Sequence, residues 1–240
     1  MKPLAAHLRL ELALLARNGE SLLLTLGIPV LLLVFFANVD VLPIDGEPID
    51  FLAPGVIALA VLSTAFVNLA IAVGFEREYG VLKRLGSTPL GRPRLLAAKG
   101  LAILAVEAVQ VTVLWPLALA LGWDPSPELA FALAVVLGTA AFAGLALCLA
   151  GTQQALVTLA AANGIFLVLL LMSGMVIPLD ELPDPVRALA CALPSGALAE
   201  VVRSTLSGAA VTGRAWGVLA LWAVAGPVLA TRLFRWDGAS

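Results

Sequence analysis

Residues that could support catalysis are scarce in this chain. His7 is the only histidine, so neither a nucleophile relay built on histidine nor a catalytic zinc site is expected. Cys148 and Cys191 offer no disulfide framework and no Cys/His metal cluster. The stretch GVLKRLGST superficially suggests a phosphate-binding loop, but five residues separate Gly80 from Gly86 and no lysine follows Gly86. The pattern G-x-x-x-x-G-K-S/T is missing, which excludes ATP binding of that kind.

Charge is concentrated in a single stretch. After 25 uncharged residues from Phe51 to Phe75, eight charged residues fall within 24 positions, and another apolar run follows. These charged residues are Glu76, Arg77, Glu78, Lys83, Arg84, Arg92, Arg94 and Lys99. The simpler interpretation is a basic anchor that fixes the orientation of a membrane protein.

The same stretch carries apolar residues at helical spacing. Tyr79, Leu82 and Gly86 fall on one stripe of a helix that the following prolines end, and Val81 and Leu85 lie beside it. Burying one leucine stabilises by about 1.5–3 kcal/mol, whereas an exposed ion pair contributes about 0–1 kcal/mol. We therefore favour a short helix with exposed apolar residues, which docks into a groove on another protein, over a simple anchor.

The apolar runs that must position these residues have the length of membrane spans. The chain is 61% hydrophobic and 12% charged, about half the charge of a soluble domain. A crossing needs about 20 apolar residues. The run from Leu129 to Leu179 has 51 uncharged residues and is divided by the turn-prone GTQQ at 151–154. Continuous apolar runs favour helices over a barrel. The predicted spans are 21–39, 51–75, 101–123, 129–150, 155–177 and 215–233.

The sequence thus predicts an all-α membrane protein with a single transmembrane domain, residues 1–240, and six transmembrane helices. Six spans place both termini on one side, which carries eleven of the 14 basic residues. The positive-inside rule makes that side cytoplasmic and places the protein in the cell membrane as a multi-pass protein. Residues 3–18 are expected to form an N-terminal interfacial helix, with an extension of the first span as the alternative.

The charged stretch resembles a known family. FEREYGVLKRLGSTPLGRPRLLAAKGL is similar to the cytoplasmic loop of type-2 ABC-transporter permeases, including the daunorubicin-resistance-like exporters. Their loop reads approximately E-R-E-x-G-x-x-x-x-L-x-x-T-P-L, with a lysine opening the third span. A second segment, MSGMVIPLDELPDPVRALACALPSGALAEVVRSTLSG, is similar to the S-G-x-x-x-P-x-x-x-L-P segment of the family. The matching residues are Glu76, Arg77, Glu78, Gly80, Leu85, Thr88, Pro89, Leu90, Lys99, Ser173, Gly174, Pro178, Leu182, Pro183, Pro194 and Arg203.

The resemblance implies partners for this chain. Such permeases form dimers and pair with two separate ATP-binding subunits, which bind the ATP and Mg²⁺, so no cofactor is expected in this chain. The helix between spans 2 and 3 is the cytoplasmic coupling helix that docks on those subunits. Short re-entrant helices at the outer face are implied for Pro178 to Gly208. The residues implied for ATPase coupling are Glu76, Arg77, Glu78, Tyr79, Gly80, Leu82, Lys83, Arg84, Leu85, Thr88 and Pro89.

Polar residues inside the spans are candidates for a translocation path. They are Ser63, Thr64, Asn68, Glu107, Gln110 and Asn163. Glu107 is the only charged residue deep in a predicted span, at a cost of roughly 2.5–3.5 kcal/mol, so it should face the helix bundle, where Gln110 could share its proton. The alternative is a neutral, hydrogen-bonded structural acid. Ser63 and Thr64 could instead bond to carbonyls of their own helix, and Asn68 and Asn163 to neighbouring helices.

The expected function is the transmembrane permease subunit of an ATP-driven exporter, including multidrug efflux, rather than an enzyme. The nearly uncharged spans favour an amphipathic drug-like or lipid substrate. A homodimer is expected, with a heterodimer as the alternative, and no nucleic-acid partner is expected. A non-transporting membrane scaffold or sensor subunit of an ATPase complex would use the same docking helix and is the alternative function. An intramembrane enzyme is disfavoured because the spans carry no paired acids and no histidine.

Overall fold

The computed structural model describes residues 19–39, 47–86, 92–209 and 212–234. Within these ranges the regular secondary structure is helical, without strands. The predicted interfacial helix at residues 3–18 lies outside the described residues. The helices are α1 (Gly19–Ala37), α2 (Pro48–Glu78), α3 (Val81–Gly86), α4 (Arg92–Ala120), α5 (Ala130–Thr152), α6 (Ala155–Leu171), α7 (Asp184–Ala192), α8 (Pro194–Ser207) and α9 (Gly213–Leu233).

Helix α2 is the centre of the bundle. Of its most apolar stretch 72% is buried, against 22% for α9. It packs against α1, α4, α5, α6 and α8. Part of it, Ser63–Asn68, is a π-helix, in which each backbone hydrogen bond spans one more residue than in an α-helix. Such segments are frequent at functional sites.

Helices α5 and α9 form the most extensive helix pair. A side chain at Gly144 would overlap the backbone of Gly226 and Pro227, and one at Gly226 would come within 2.8 Å of the Ala141 carbonyl oxygen. Glycines at these positions let the two backbones touch, as small residues do in membrane bundles.

The apolar helices have the length that a membrane requires. Four helices of the described ranges are long and apolar enough to cross a bilayer, namely α2, α4 from Ala97, α5 and α9, and the count is five if α7 and α8 form one bent span. Thr25–Ala37 and α6 are apolar but shorter. The protein is thus a multi-pass membrane protein, while the number six remains a prediction.

Two helix boundaries differ clearly from those predicted. Helix α4 begins at Arg92 instead of residue 101, because Pro93 falls in the first turn, where its missing N–H needs no partner. Helix α6 ends at Leu171 rather than at residue 177. The chain turns there, since Gly174 has a φ of +71°, which glycine adopts readily.

The segment after α6 folds into two short helices. A 3-10 turn, Leu179–Glu181, leads into α7, and α8 follows at 81° to α7. Gly196 allows this bend because a side chain there would overlap the Ala190 carbonyl. Arg203 of α8 donates to the Gly174 carbonyl oxygen at 2.8 Å and lies 4.0 Å from the ring centre of Phe51. The pair α7–α8 is thereby attached to the start of α2.

Candidate functional site

The charged residues at the end of α2 contact other helices of the same chain. The Lys99 ammonium of α4 donates to the Glu76 carboxylate at 2.7 Å, and the Lys99 side chain is only 4% exposed. The next two residues, Arg77 and Glu78, reach the turn between α5 and α6. We call Glu76, Arg77, Glu78 and Lys99 together the charged clamp.

Arg77 and Glu78 bind the two sides of that turn. Arg77 is 4% exposed, and its guanidinium donates to the Gln153 carbonyl oxygen at 2.8 Å. The Ala155 N–H donates to the Glu78 carboxylate at 3.0 Å. A helix end carries partial charge, negative at the C-terminus and positive at the N-terminus. The Arg77 cation therefore lies at the C-terminus of α5 and the Glu78 anion at the N-terminus of α6, and each helix end attracts the charge that it faces.

A glycine separates the clamp from the short helix α3. Gly80 has a φ of +69°, a conformation that costs a glycine little. It lets the chain leave α2 and restart at Val81, with the Arg84 N–H donating to the Gly80 carbonyl oxygen. The short helix predicted between the second and third spans is thus present, but it begins at Val81 rather than at about Glu76, where the resemblance places it, because α2 continues to Glu78.

The exposed apolar surface around α3 differs from the predicted one. Tyr79 is 69% exposed and Val81 is exposed, but Leu82 is 1% exposed and belongs to the core. The expectation that Leu82 is available to a partner is therefore wrong for this chain, because the helix turns that face inward. Arg84 is exposed. Thr88 and Pro89, and the side chains of Lys83 and Leu85, lie outside the description that the structure provides.

A network of neutral side chains joins three helices in the middle of the bundle. The Asn68 amide donates to the Thr25 hydroxyl at 2.9 Å, and the Gln110 amide donates to the Thr25 carbonyl oxygen at 3.0 Å. The Thr64 hydroxyl donates to the Gln110 side-chain oxygen at 3.2 Å. These bonds connect α1, the π-helical part of α2, and α4. Of the predicted polar residues, Thr64, Asn68 and Gln110 thus meet around Thr25, a residue that the sequence analysis did not select.

Glu107 faces the bundle, as its charge requires, and is 2% exposed. Thr139 of α5 is its hydrogen-bond partner, with 2.6 Å between the Thr139 hydroxyl and the carboxyl oxygen. The same hydroxyl is 2.8 Å from the Val135 carbonyl oxygen. The Thr139 hydroxyl is thus shared between the Glu107 carboxyl oxygen and the Val135 carbonyl oxygen, and the second Glu107 carboxyl oxygen is buried without a hydrogen-bond partner in the described part of the chain. Gln110, expected to share the proton, is engaged elsewhere.

A cavity of about 320 Å³ lies between α1, α2 and α6. Three predicted path residues line it, Ser63, Asn68 and Asn163, whereas Thr64, Glu107 and Gln110 do not. The Ser63 hydroxyl donates to the Ala60 carbonyl oxygen of its own helix, and the Asn163 amide to that of Leu159. The other lining residues are mostly apolar: Thr25, Ile28, Pro29, Leu32, Leu59, Val67, Ile71, Phe166 and Leu170. The cavity suits an apolar molecule with a few polar atoms.

Metal-ligating side chains are not clustered in the described ranges: no three His, Cys, Asp or Glu residues are placed to hold a metal ion there. The arrangement offers instead an exposed short helix, an internal charged clamp and an uncharged cavity.

Comparison with known proteins identifies the family. The family model for the ABC-2 type transporter matches residues 4–206, which include the clamp, α3 and the cavity. The search of curated proteins gave no match. Members of this family are transport subunits in the membrane, generally non-catalytic, and normally work with ATP-binding subunits. Because the match covers well over half of its length, this multi-pass membrane chain belongs to the ABC-2 type transporter family.

Proposed function

We propose that this chain is the permease subunit of an ATP-driven exporter that moves an amphipathic drug-like or lipid substrate out of the cytoplasm or the inner leaflet. The observation that carries the proposal is the short helix α3, which follows the clamp in a member of the ABC-2 family and leaves Tyr79 and Val81 exposed. An aromatic and a branched apolar side chain at a helix start provide the contact that a partner groove requires.

The proposed complex contains two copies of this chain and two ATP-binding subunits. The partner subunits bind ATP and Mg²⁺ and contact α3, which acts as the coupling helix. Each chain crosses the membrane six times with both termini in the cytoplasm, in agreement with the eleven basic residues on that side. The pair α7–α8 lies at the outer face as a re-entrant segment.

The cavity between α1, α2 and α6 is the proposed part of the substrate path. Its apolar lining and its uncharged polar atoms support an amphipathic rather than a highly charged substrate. Helices α1 and α6, which form two of its sides, expose large apolar residues such as Phe35 and Leu167. In the proposed dimer a second copy packs near these faces and completes the path.

The test uses the permease co-purified with its ATP-binding subunit and reconstituted in lipid vesicles. Candidate amphipathic substrates should stimulate ATP hydrolysis and accumulate across the membrane in an ATP-dependent manner. Tyr79→Asp combined with Val81→Asp should abolish both, because two charges replace the apolar contact. Leu129→Asp, at an exposed position just before α5, is the matched control and should behave as the wild type.

Three outcomes distinguish the alternatives. Loss of stimulation in the double variant supports docking through α3. Unchanged coupling in that variant contradicts the placement of the docking helix. A complex that assembles and hydrolyses ATP but moves none of the amphipathic substrates would favour the scaffold or sensor alternative.

A further inference from the structure

We propose that Arg77 and Glu78 are positioning residues that connect the coupling helix to α6, so that α6 is the moving wall of the cavity. This inference rests on the proposed function, and it assigns these two residues an internal role in place of direct contact with the ATP-binding subunit.

The first argument is the position of the two residues between α3 and α6. They are the last two residues of α2, and only Tyr79 and Gly80 separate them from α3. Any displacement of α3 therefore reaches them within two residues. Arg77 donates to the Gln153 carbonyl oxygen and Glu78 accepts from the Ala155 N–H, on the two sides of the turn that joins α5 to α6. A path from α3 to the start of α6 thus exists through hydrogen bonds within one chain.

The second argument is the chemistry of those bonds. Arg77 binds a carbonyl oxygen at the end of α5, and Glu78 binds the first N–H of α6. The first N–H groups of a helix lack partners within the helix, so the Glu78 carboxylate provides what the start of α6 needs. Hydrogen bonds to charged groups are roughly twice as strong as neutral ones. The start of α6 is therefore held to the end of α2 more firmly than by apolar contact alone.

The third argument is that α6 is held mainly by α2 and much less by α5. Near its start, Gly74 of α2 packs closely, since a side chain there would come within 3.3 Å of the Thr158 methyl group. Farther along, Ala162 and Leu169 are buried against the bundle, whereas Leu167 and Leu171 are exposed and contacts with α5 are few. A helix that packs mainly against α2 can tilt relative to α5 when the end of α2 moves.

The fourth argument is where such a tilt would act. Helix α6 has 17 residues, which corresponds to about 25 Å at 1.5 Å per residue. Asn163, Phe166 and Leu170 of this helix line the cavity, and Asn163 lies about 12 Å along the helix from Ala155. A small rotation at the clamped end therefore changes the width of the cavity at these side chains.

The experiment measures movement and coupling in the same complex. The native cysteines are replaced by alanine, and spin labels are placed at exposed Leu167 of α6 and Leu221 of α9. Labelled chains are diluted with unlabelled chains so that distances within one chain dominate. The variant is Arg77→Gln with Glu78→Gln. The matched control is Arg187→Gln with Glu181→Gln in the segment around α7, where Glu181 is exposed and the Arg187 side chain is 44% exposed.

In the wild type and in the control, a non-hydrolysable ATP analogue should change the label distance. In the clamp variant the ATP-binding subunit should still co-purify, but the change in label distance should be lost. The amount of substrate transported per ATP hydrolysed should fall roughly tenfold. Arg77→Lys alone, which keeps a cation and a donor, should restore most of both readouts. A clamp that only stabilises the fold would lower thermal stability without removing the change in distance.

Several results would overturn the inference. An ATP-dependent change in distance of wild-type size in the clamp variant would do so, and so would loss of co-purification, which would place the two residues at the partner contact. If the clamp variant does not fold, Glu78→Gln alone is tested by the same two measurements, the label distance and co-purification, with the same criteria. A wild type without ATP-driven transport would overturn the proposed function and this inference together. A clamp variant that transports as much substrate per ATP as the wild type would overturn the inference only.

Discussion

The charged clamp and the network around Thr25 both connect helices through polar side chains, but they use different chemistry. The clamp uses full charges, two of them on backbone groups at helix ends, and Glu78 remains exposed. The network uses neutral amides and hydroxyls, and Gln110 within it is buried. Charges are tolerated at the end of a span, where water is near, and are expensive in its middle. Position along the helix thus decides which polar residues can join two helices.

The largest effect is expected when a charge is moved into the neutral region. Glu107→Lys should lower the free energy of unfolding by about 3 kcal/mol, because the ammonium would be buried beside Thr139 without an anion. Glu107→Gln is the matched control and should cost less than about 1 kcal/mol. Denaturation of the purified protein in detergent measures both. A lysine variant as stable as the glutamine variant would show that Glu107 is accessible to water.

The next effect concerns the buried half of the clamp. Lys99→Gln should destabilise by about 2 kcal/mol, because the ammonium is 4% exposed and lies 2.7 Å from Glu76. Arg187→Gln removes the exposed pair with Asp184 and should cost at most about 0.5 kcal/mol. Equal losses in the two variants would mean that burial does not strengthen the pair in the clamp.

A smaller loss is expected in the network. Gln110→Leu removes the bonds to Thr25 and Thr64 and should cost about 1 kcal/mol. Thr112→Val in the same helix, which removes only a bond to the helix's own carbonyl at Ala108, should be close to neutral. A double-mutant cycle of Gln110→Leu with Thr64→Val should show coupling, and strict additivity would argue against the bond between the two side chains.

The smallest effect on stability is expected for Glu78→Gln. The salt dependence of this effect separates the two regions most clearly. Glu78→Gln should cost about 0.5 kcal/mol at low ionic strength, and the loss should shrink at 1 M salt because Glu78 is exposed. The loss for Gln110→Leu should not change with salt. If both variants respond to salt alike, the charge on Glu78 is not what holds the start of α6.

Local patterns predicted much of this structure. Uncharged runs gave the positions of the long helices because the membrane requires continuous apolar helices. The inward position of Glu107 followed from the cost of exposing a carboxyl to lipid. A short helix before Pro89 was also visible in the spacing of residues, but the break at Gly80 that separates it from α2 was not.

What the sequence could not predict depends on tertiary contacts. The spacing of Tyr79, Leu82 and Gly86 predicts that Leu82 lies on an exposed stripe, but α3 turns the Leu82 side chain toward the core. Thr25 is a lone polar residue in an apolar run, a signal that could have marked it as a hydrogen-bond partner. Nothing near Arg77 in the chain points to Gln153, which is 76 positions away.

The contact between Gly144 and Gly226 has a mechanical consequence. Where backbone meets backbone, no layer of side chains can change rotamer to let one helix slide past the other. Helices α5 and α9 must therefore move together as one rigid unit, and they provide a fixed frame within each chain. In the proposed transport cycle, opening and closing are then left to the opposite half of the molecule, where contacts are made through side chains that can rearrange.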